Sequence, residues 1–216
     1  MAIIPARTIL FDLDGTLVDS KAGITRSVQY ALERMDLPSP PAESLEWLIG
    51  PPMQLSLRKL LATSDETLVA QAMGFFLERY GTVGKYEGTL YPGTAAALGA
   101  IKRSGHRVYL ATSKPRNEAV DILTHFGLDT FFDGIYGSVG QKAALIAALL
   151  QAESLVAAET LMVGDRDLDI LAARENSVRS VGVTYGYGSP DELRAAGPDY
   201  LFDSLGDLAG SLAPVQ

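Results

Sequence analysis

The chain has 216 residues, of which 47% are hydrophobic, with a formal net charge of −8 and no cysteine. This length holds one large domain or a core with a modest insertion, and the apolar content is ample for a packed interior. The acidic balance argues against a nucleic-acid surface, and the lack of cysteine excludes disulfides and thiolate chemistry.

The apolar part of residues 1–7 is too short for a secretion signal and no apolar run approaches membrane-spanning length, so a soluble cytoplasmic protein is expected. Thr8-Ile9-Leu10-Phe11 predicts a buried strand of the kind found in parallel sheets covered on both faces. Two carboxylates, Asp12 and Asp14, follow at its end. Beyond Ser20, read as an N-cap, Ile24, Val28, Leu32 and Met35 recur at helical spacing until Pro38. Pro40 and Pro41 open a second helix through Trp47 and Leu48, and Gly50-Pro51-Pro52 makes a rigid corner after it. Leu57, Leu60 and Leu61 mark a third helix. Thr63-Ser64-Asp65-Glu66 then matches the capping-box pattern ahead of a fourth, which carries Leu68, Ala72, Phe75 and Phe76 and ends at Gly81. Trp47, Phe75 and Phe76 are expected to form the core of this all-helical stretch, and residues 81–91 to be its return linker.

Past Pro92 helices and strands alternate as in a doubly wound sheet. A helix runs to Ser104 with Gly105 as its cap, a strand spans residues 107–111, and a helix runs to Phe126 with Gly127 as its cap. Strands are expected at residues 134–137, 160–164, 180–184 and 200–202, with helices at 142–150 and 167–175. The expected fold is α/β: a Rossmann-like parallel sheet with helices on both faces, residues 1–16 and 84–216, plus a small all-helical cap domain, residues 17–83, inserted after the first strand.

Asp12 and Asp14 end one strand, and Asp165 and Asp169 follow the run ending Val163-Gly164. Neighbouring strands would bring these four carboxylates together, where they raise one another's pKa unless a cation joins them. A hard divalent ion with oxygen ligands fits, Mg²⁺ above all. An aspartate at a strand end can instead cap a helix or close a turn, but two pairs arriving together favour a ligand set. A carboxylate beside Mg²⁺ suggests phosphoryl transfer through an aspartyl phosphate, the second carboxylate acting as acid and base. Gly15 would permit a tight turn that presents N–H groups to the phosphate.

The run Asp12-Leu13-Asp14-Gly15-Thr16-Leu17-Val18-Asp19-Ser20 resembles the first motif of the haloacid dehalogenase superfamily, in its phosphoglycolate-phosphatase-like branch. Leu110-Ala111-Thr112-Ser113-Lys114-Pro115 resembles the second motif and Val163-Gly164-Asp165-Arg166-Asp167-Leu168-Asp169 the fourth. Gly182-Val183-Thr184-Tyr185-Gly186-Tyr187-Gly188-Ser189 is similar to a loop common in that branch, so the likeness covers nearly the whole chain. It implies Asp12 as nucleophile and Asp14 as acid and base. It further implies phosphate binding by Thr112, Ser113 and Lys114, and Mg²⁺ held by Asp12, Asp14, Asp165 and Asp169. For the third-motif lysine, Lys142 is assigned because it follows a strand-like run and opens a helix; Lys114 is the alternative.

The resemblance implies a Mg²⁺-dependent phosphatase for a small phosphorylated metabolite, such as phosphoglycolate or a 5'-nucleotide, with a phosphosugar mutase as the alternative. Dehalogenation is disfavoured, since it needs neither Mg²⁺ nor the second aspartate. A receiver-type signalling module lacks an inserted cap of about 60 residues. Neither nucleic acid nor membrane is expected as a partner, and no unassigned apolar stripe points to an oligomer. His106 and His125 have no partner at ligand spacing and read as structural. Arg166 is either a surface residue at a helix start or a salt-bridge partner of the acidic cluster.

Overall fold

The computed structural model describes residues 3–215. In chain order its strands are β1 (Thr8–Phe11), β2 (Val18–Asp19), β3 (Thr89–Leu90), β4 (Arg107–Thr112), β5 (Gly134–Gly137), β6 (Thr160–Gly164), β7 (Arg179–Val183) and β8 (Tyr200–Phe202). Its α-helices are α1 (Lys21–Arg34), α2 (Met53–Leu60), α3 (Glu66–Tyr80), α4 (Thr94–Arg103), α5 (Arg116–His125), α6 (Lys142–Ala152), α7 (Asp167–Glu175), α8 (Pro190–Ala196) and α9 (Leu205–Ser211). The chain divides into two compact units, one running up to Val18 and resuming at Leu90, the other spanning Asp19–Thr89.

The first unit is built on a six-stranded parallel sheet in the order β5-β4-β1-β6-β7-β8. Successive side chains of a strand point to opposite faces, and β1 sorts accordingly. Ile9 and Phe11 join Leu98, Ile101, Ile122, Leu123, Leu205 and Leu208 of α4, α5 and α9 in one layer. Leu10 joins Ile146, Leu149, Ala172 and Ala173 of α6 and α7 in the other. All four β1 residues are buried, as a central strand covered on both faces requires. Each large apolar side chain so enclosed contributes about 1.5–3 kcal/mol. Phe11 lies opposite Leu110 of β4 and Val163 of β6, which brings the chain exits of three adjacent strands level. Gly105 and Gly127, with φ of +86° and +67°, turn the chain after α4 and α5 in the left-handed conformation that a Cβ disfavours.

The second unit is helical. α1 packs on α3, and Ile24, Val28, Ala31, Leu32, Val69, Ala72 and Phe76 are all buried. The unit runs on past Val83, because a Cβ at Gly23 would collide with the backbone of Gly84, and Glu87 pairs with Arg79 at 2.7 Å and Arg26 at 3.1 Å. The two connecting segments, β2 and β3, pair with each other.

Local details depart from the sequence reading. The hydroxyl of Ser20 occupies the N-cap position of α1 without capping it; Asp19 accepts from the Lys21 N–H at 3.1 Å instead. The segment opened by Pro40 and Pro41 is a 3-10 helix, Ala42–Leu48, and not an α-helix. At α3 the cap is a single residue, Asp65, accepting from the Thr67 N–H at 2.8 Å. Phe76 is interior and stacks on Tyr80 at 5.0 Å, whereas Trp47 and Phe75 are only half-buried. Lys59 and Arg34 lie over their rings at 4.7 Å and 4.6 Å, which explains why these two aromatics can stay at the edge.

Candidate active site

Asp12 is the first residue beyond β1, and its N–H donates to the carbonyl of Val163 at 2.9 Å, so the carboxylate leaves the sheet beside β6. Asp165 follows β6 directly and Asp169 lies in the first turn of α7. One oxygen from each of Asp12, Asp165 and Asp169 falls within 4.8 Å of the others, and all three residues are buried. The cation among them is Lys142, the first residue of α6: its ammonium lies 2.8 Å from Asp12 and also bonds Asp169.

Asp165 is clasped by its surroundings. It accepts from the Thr16 hydroxyl at 3.1 Å and from the Tyr187 N–H at 2.8 Å. Gly15 turns there with φ of +86°, and a Cβ on Gly15 or Gly186 would overlap the Asp165 side chain. The Tyr185 hydroxyl donates to the Thr16 carbonyl at 2.7 Å, tying the loop after β7 to the turn after β1. Asp165 therefore does not cap α7; Arg166 holds that position, and its N–H donates to Asp169 at 3.1 Å.

These groups perturb one another as their geometry requires. Burial pushes the Asp12 carboxyl up to about 6, Lys142 opposing and Asp169 and Asp14 reinforcing the rise. Burial, with Asp169 and Asp12, pushes Asp165 up to about 8. Burial alone would lower Lys142, but Asp12 and Asp169 outweigh it and hold the ammonium above the ordinary lysine range. Burial also raises the Tyr185 hydroxyl, helped by Asp165.

Thr112 ends β4, buried, and accepts the Lys114 N–H on its hydroxyl at 3.3 Å; Ser113 sits half-buried between them. Lys114 pairs with Asp14 at 3.0 Å. The structure thus brings together three of the four expected metal-binding aspartates. The side chain of Asp14 stands outside that cluster, because its carboxylate is engaged by Lys114. The two candidate lysines also separate: Lys142, not Lys114, meets Asp12. Arg166 resolves as well, its guanidinium pairing with Glu192 of α8 at 2.7 Å and not with the acidic cluster. Glu192 and Tyr185 carry no role in the sequence reading, and Thr16 none beyond its place in the first motif.

A family pattern for haloacid dehalogenase-like hydrolases matches residues 9–183, spanning both carboxylate pairs, Thr112 and Lys142. The chain belongs to the haloacid dehalogenase-like hydrolases. Among its relatives in this family is a 5'-nucleotidase of Pseudomonas aeruginosa, 43% identical over 93% of this chain and 92% of that protein. A phosphoglycolate phosphatase of Colwellia psychrerythraea is 32% identical over 94% and 96% of the two chains. The crystal structure of "a predicted phosphatase from Clostridium acetobutylicum" superposes with a TM-score of 0.91 at 35% identity, covering 96% of this chain and 98% of that one. Kinship of this kind over the full fold makes the chain a phosphoric monoester hydrolase of the haloacid dehalogenase-like family.

Proposed function

We propose that this hydrolase is a Mg²⁺-dependent phosphatase that removes the phosphoryl group of a small phosphate monoester through a phosphorylated Asp12. The observation that carries the reading is the convergence of three buried carboxylates, Asp12, Asp165 and Asp169, with the ammonium of Lys142 bonded to Asp12 and Asp169. The named activities of the two relatives support the substrate class, phosphoglycolate or a 5'-nucleotide.

A divalent ion fits the residues present. The donors are hard carboxylate oxygens, three within one ion's reach in a buried setting, and among the described residues Lys142 is the ammonium paired with two of them. Asp12, Asp165 and Asp169 would hold the ion, which would supply positive charge to the phosphoryl oxygens.

The chain's own groups have separable tasks. Asp12, fixed by Lys142, attacks phosphorus, while the Thr112 hydroxyl, the Ser113 N–H and Lys142 hold the phosphoryl oxygens. Asp14 protonates the departing ester oxygen and then takes a proton from the water that hydrolyses the aspartyl phosphate. The helical unit, Asp19–Thr89, is assigned the role of cap, selecting the substrate.

Phosphate release from a panel of monoesters, including phosphoglycolate and 5'-nucleotides, tests this. Turnover of at least one member that is lost in Asp12→Asn and in EDTA supports the reading; activity retained in either overturns it.

A further inference from the structure

Two lysines enter this site, and each is tied to a different carboxylate of Asp12-Leu13-Asp14. Lys142 takes Asp12, and Lys114 takes Asp14 Oδ2 at 3.0 Å, with side chains 8% and 12% exposed. The other oxygen, Asp14 Oδ1, is buried without a hydrogen-bond partner among the described residues.

Both backbones are pinned. The turn carrying Asp14 is closed by the Gly15 N–H donating to the Val18 carbonyl at 2.9 Å, and by the Leu13 carbonyl accepting from Leu17 at 2.9 Å and Val18 at 3.0 Å. Lys114 is followed by Pro115, which fixes φ at −53°, and lies against Gly137, where a Cβ would stand 2.8 Å from the Arg116 nitrogen. With its backbone held and its side chain buried, Lys114 leaves its ammonium little room to move away from Asp14 Oδ2.

Resting on the assignment of Asp14 as the acid, we infer that Lys114 is a positioning residue: it fixes Asp14 Oδ2, so that Oδ1 faces the leaving oxygen, and it does not hold the transferred phosphate. Moving Lys114 to the phosphate would leave buried and unpaired the carboxylate that Asp14 becomes once it has given up its proton, a costly state. In the step concerned, Asp12 bonds to phosphorus and the ester P–O bond breaks. Its electron pair passes to the ester oxygen, which takes the proton from Asp14 Oδ1 and leaves Asp14 a carboxylate. In the second half Asp14 takes a proton from water, the water oxygen bonds to phosphorus, and the bond from phosphorus to Asp12 breaks to release phosphate.

A leaving group that departs as a stable phenolate needs little protonation, whereas an alkoxide needs a great deal. The test therefore compares p-nitrophenyl phosphate with benzyl phosphate on one preparation of each full-length variant, so that any loss of folded protein cancels in the ratio. Lys114→Met should lower kcat/KM for benzyl phosphate roughly 10²-fold more than for p-nitrophenyl phosphate, the size of a general-acid contribution. Inhibition by inorganic phosphate should stay near its wild-type strength. Equal losses on both substrates, or weakened phosphate inhibition, overturn the inference and make Lys114 a phosphate ligand. Asp14→Asn separates the two assignments. A split in Asp14→Asn but not in Lys114→Met overturns the Lys114 role alone, and no split in Asp14→Asn overturns the acid assignment beneath it.

Discussion

Lys142 and Asp12 form a buried ion pair at 2.8 Å, the lysine at the first residue of α6 and the aspartate just beyond β1. A cation is electrostatically misplaced at a helix N-terminus, where the macrodipole already presents positive charge. The pair with Asp12 and the bond to Asp169 offset that cost, so the position makes sense only as part of the carboxylate cluster.

Removing this lysine leaves three buried carboxyl groups with no ammonium. Lys142→Met should abolish most turnover and, as for breaking a buried pair from one side, destabilise the fold by about 3–5 kcal/mol. Denaturant midpoints of wild type and variant, measured in EDTA, check the second part. An unchanged midpoint would mean that the pair contributes nothing to the fold.

Mg²⁺ that binds only the folded protein should stabilise it by about 2.7 kcal/mol at a hundredfold excess over its dissociation constant. The melting temperature of wild type should accordingly rise with Mg²⁺, and the rise should vanish in Asp165→Asn. This readout needs no substrate. A shift that survives in Asp165→Asn would place the ion elsewhere.

Glu192 holds the loop that joins Asp165 to Asp169 through one side chain and one backbone N–H. It accepts from the Arg166 guanidinium at 2.7 Å and the Asp167 N–H at 3.1 Å. Glu192→Gln should weaken Mg²⁺ binding by about 10-fold, the lower end of the effect of outer-shell partners. Calorimetric titration of Mg²⁺ into the two proteins measures this, and equal affinities would refute it.

The contrast between Glu192 and Asp165 shows what was legible beforehand. The sheet could be read because its strands are short runs with apolar centres, β1, β5, β6 and β8 ended by glycine or acid, and because Gly105 and Gly127 mark where helices stop. Asp165 and Asp169 could be read because a second pair of acids after a strand, added to Asp12 and Asp14, favours a ligand set over a cap or a turn. Glu192 could not, since its partner Arg166 lies 26 positions away and the contact depends on how α8 packs on α7. The start of α8 did carry a signal: Ser189-Pro190-Asp191-Glu192 has the capping-box spacing, and the Ser189 hydroxyl accepts from the Glu192 N–H at 3.1 Å. Ser204-Leu205-Gly206-Asp207 has a similar spacing ahead of α9, with Ser204 accepting from Asp207 at 3.1 Å. The separation of Asp14 from the other carboxylates was not legible, because adjacent motif residues say nothing about which lysine each will meet.

His106, which precedes β4, gives a pH dependence independent of the acidic cluster. It is buried, with neither ring nitrogen hydrogen-bonded among the described residues, and that burial lowers its pKa. The unfolded imidazole takes a proton at about pH 6.5, the folded one only at lower pH. Below that point the unfolded chain binds more protons, so the stability is full above about pH 6.5 and is lost as the pH falls toward the folded value. Urea midpoints at about pH 7.5 and 5.5 should therefore fall more in wild type than in His106→Phe, whose side chain cannot titrate. An equal fall would show that His106 does not contribute to the pH dependence of stability.

Every other role in the site depends on phosphorylation of Asp12. Wild-type protein quenched during turnover and reduced with borohydride converts an acyl phosphate to homoserine, which peptide mass spectrometry detects at its position. Homoserine is expected at position 12 in wild type, dependent on Mg²⁺ and substrate, and none in Asp12→Asn. Steady turnover with unmodified Asp12, matched by turnover in Asp12→Asn, would contradict it.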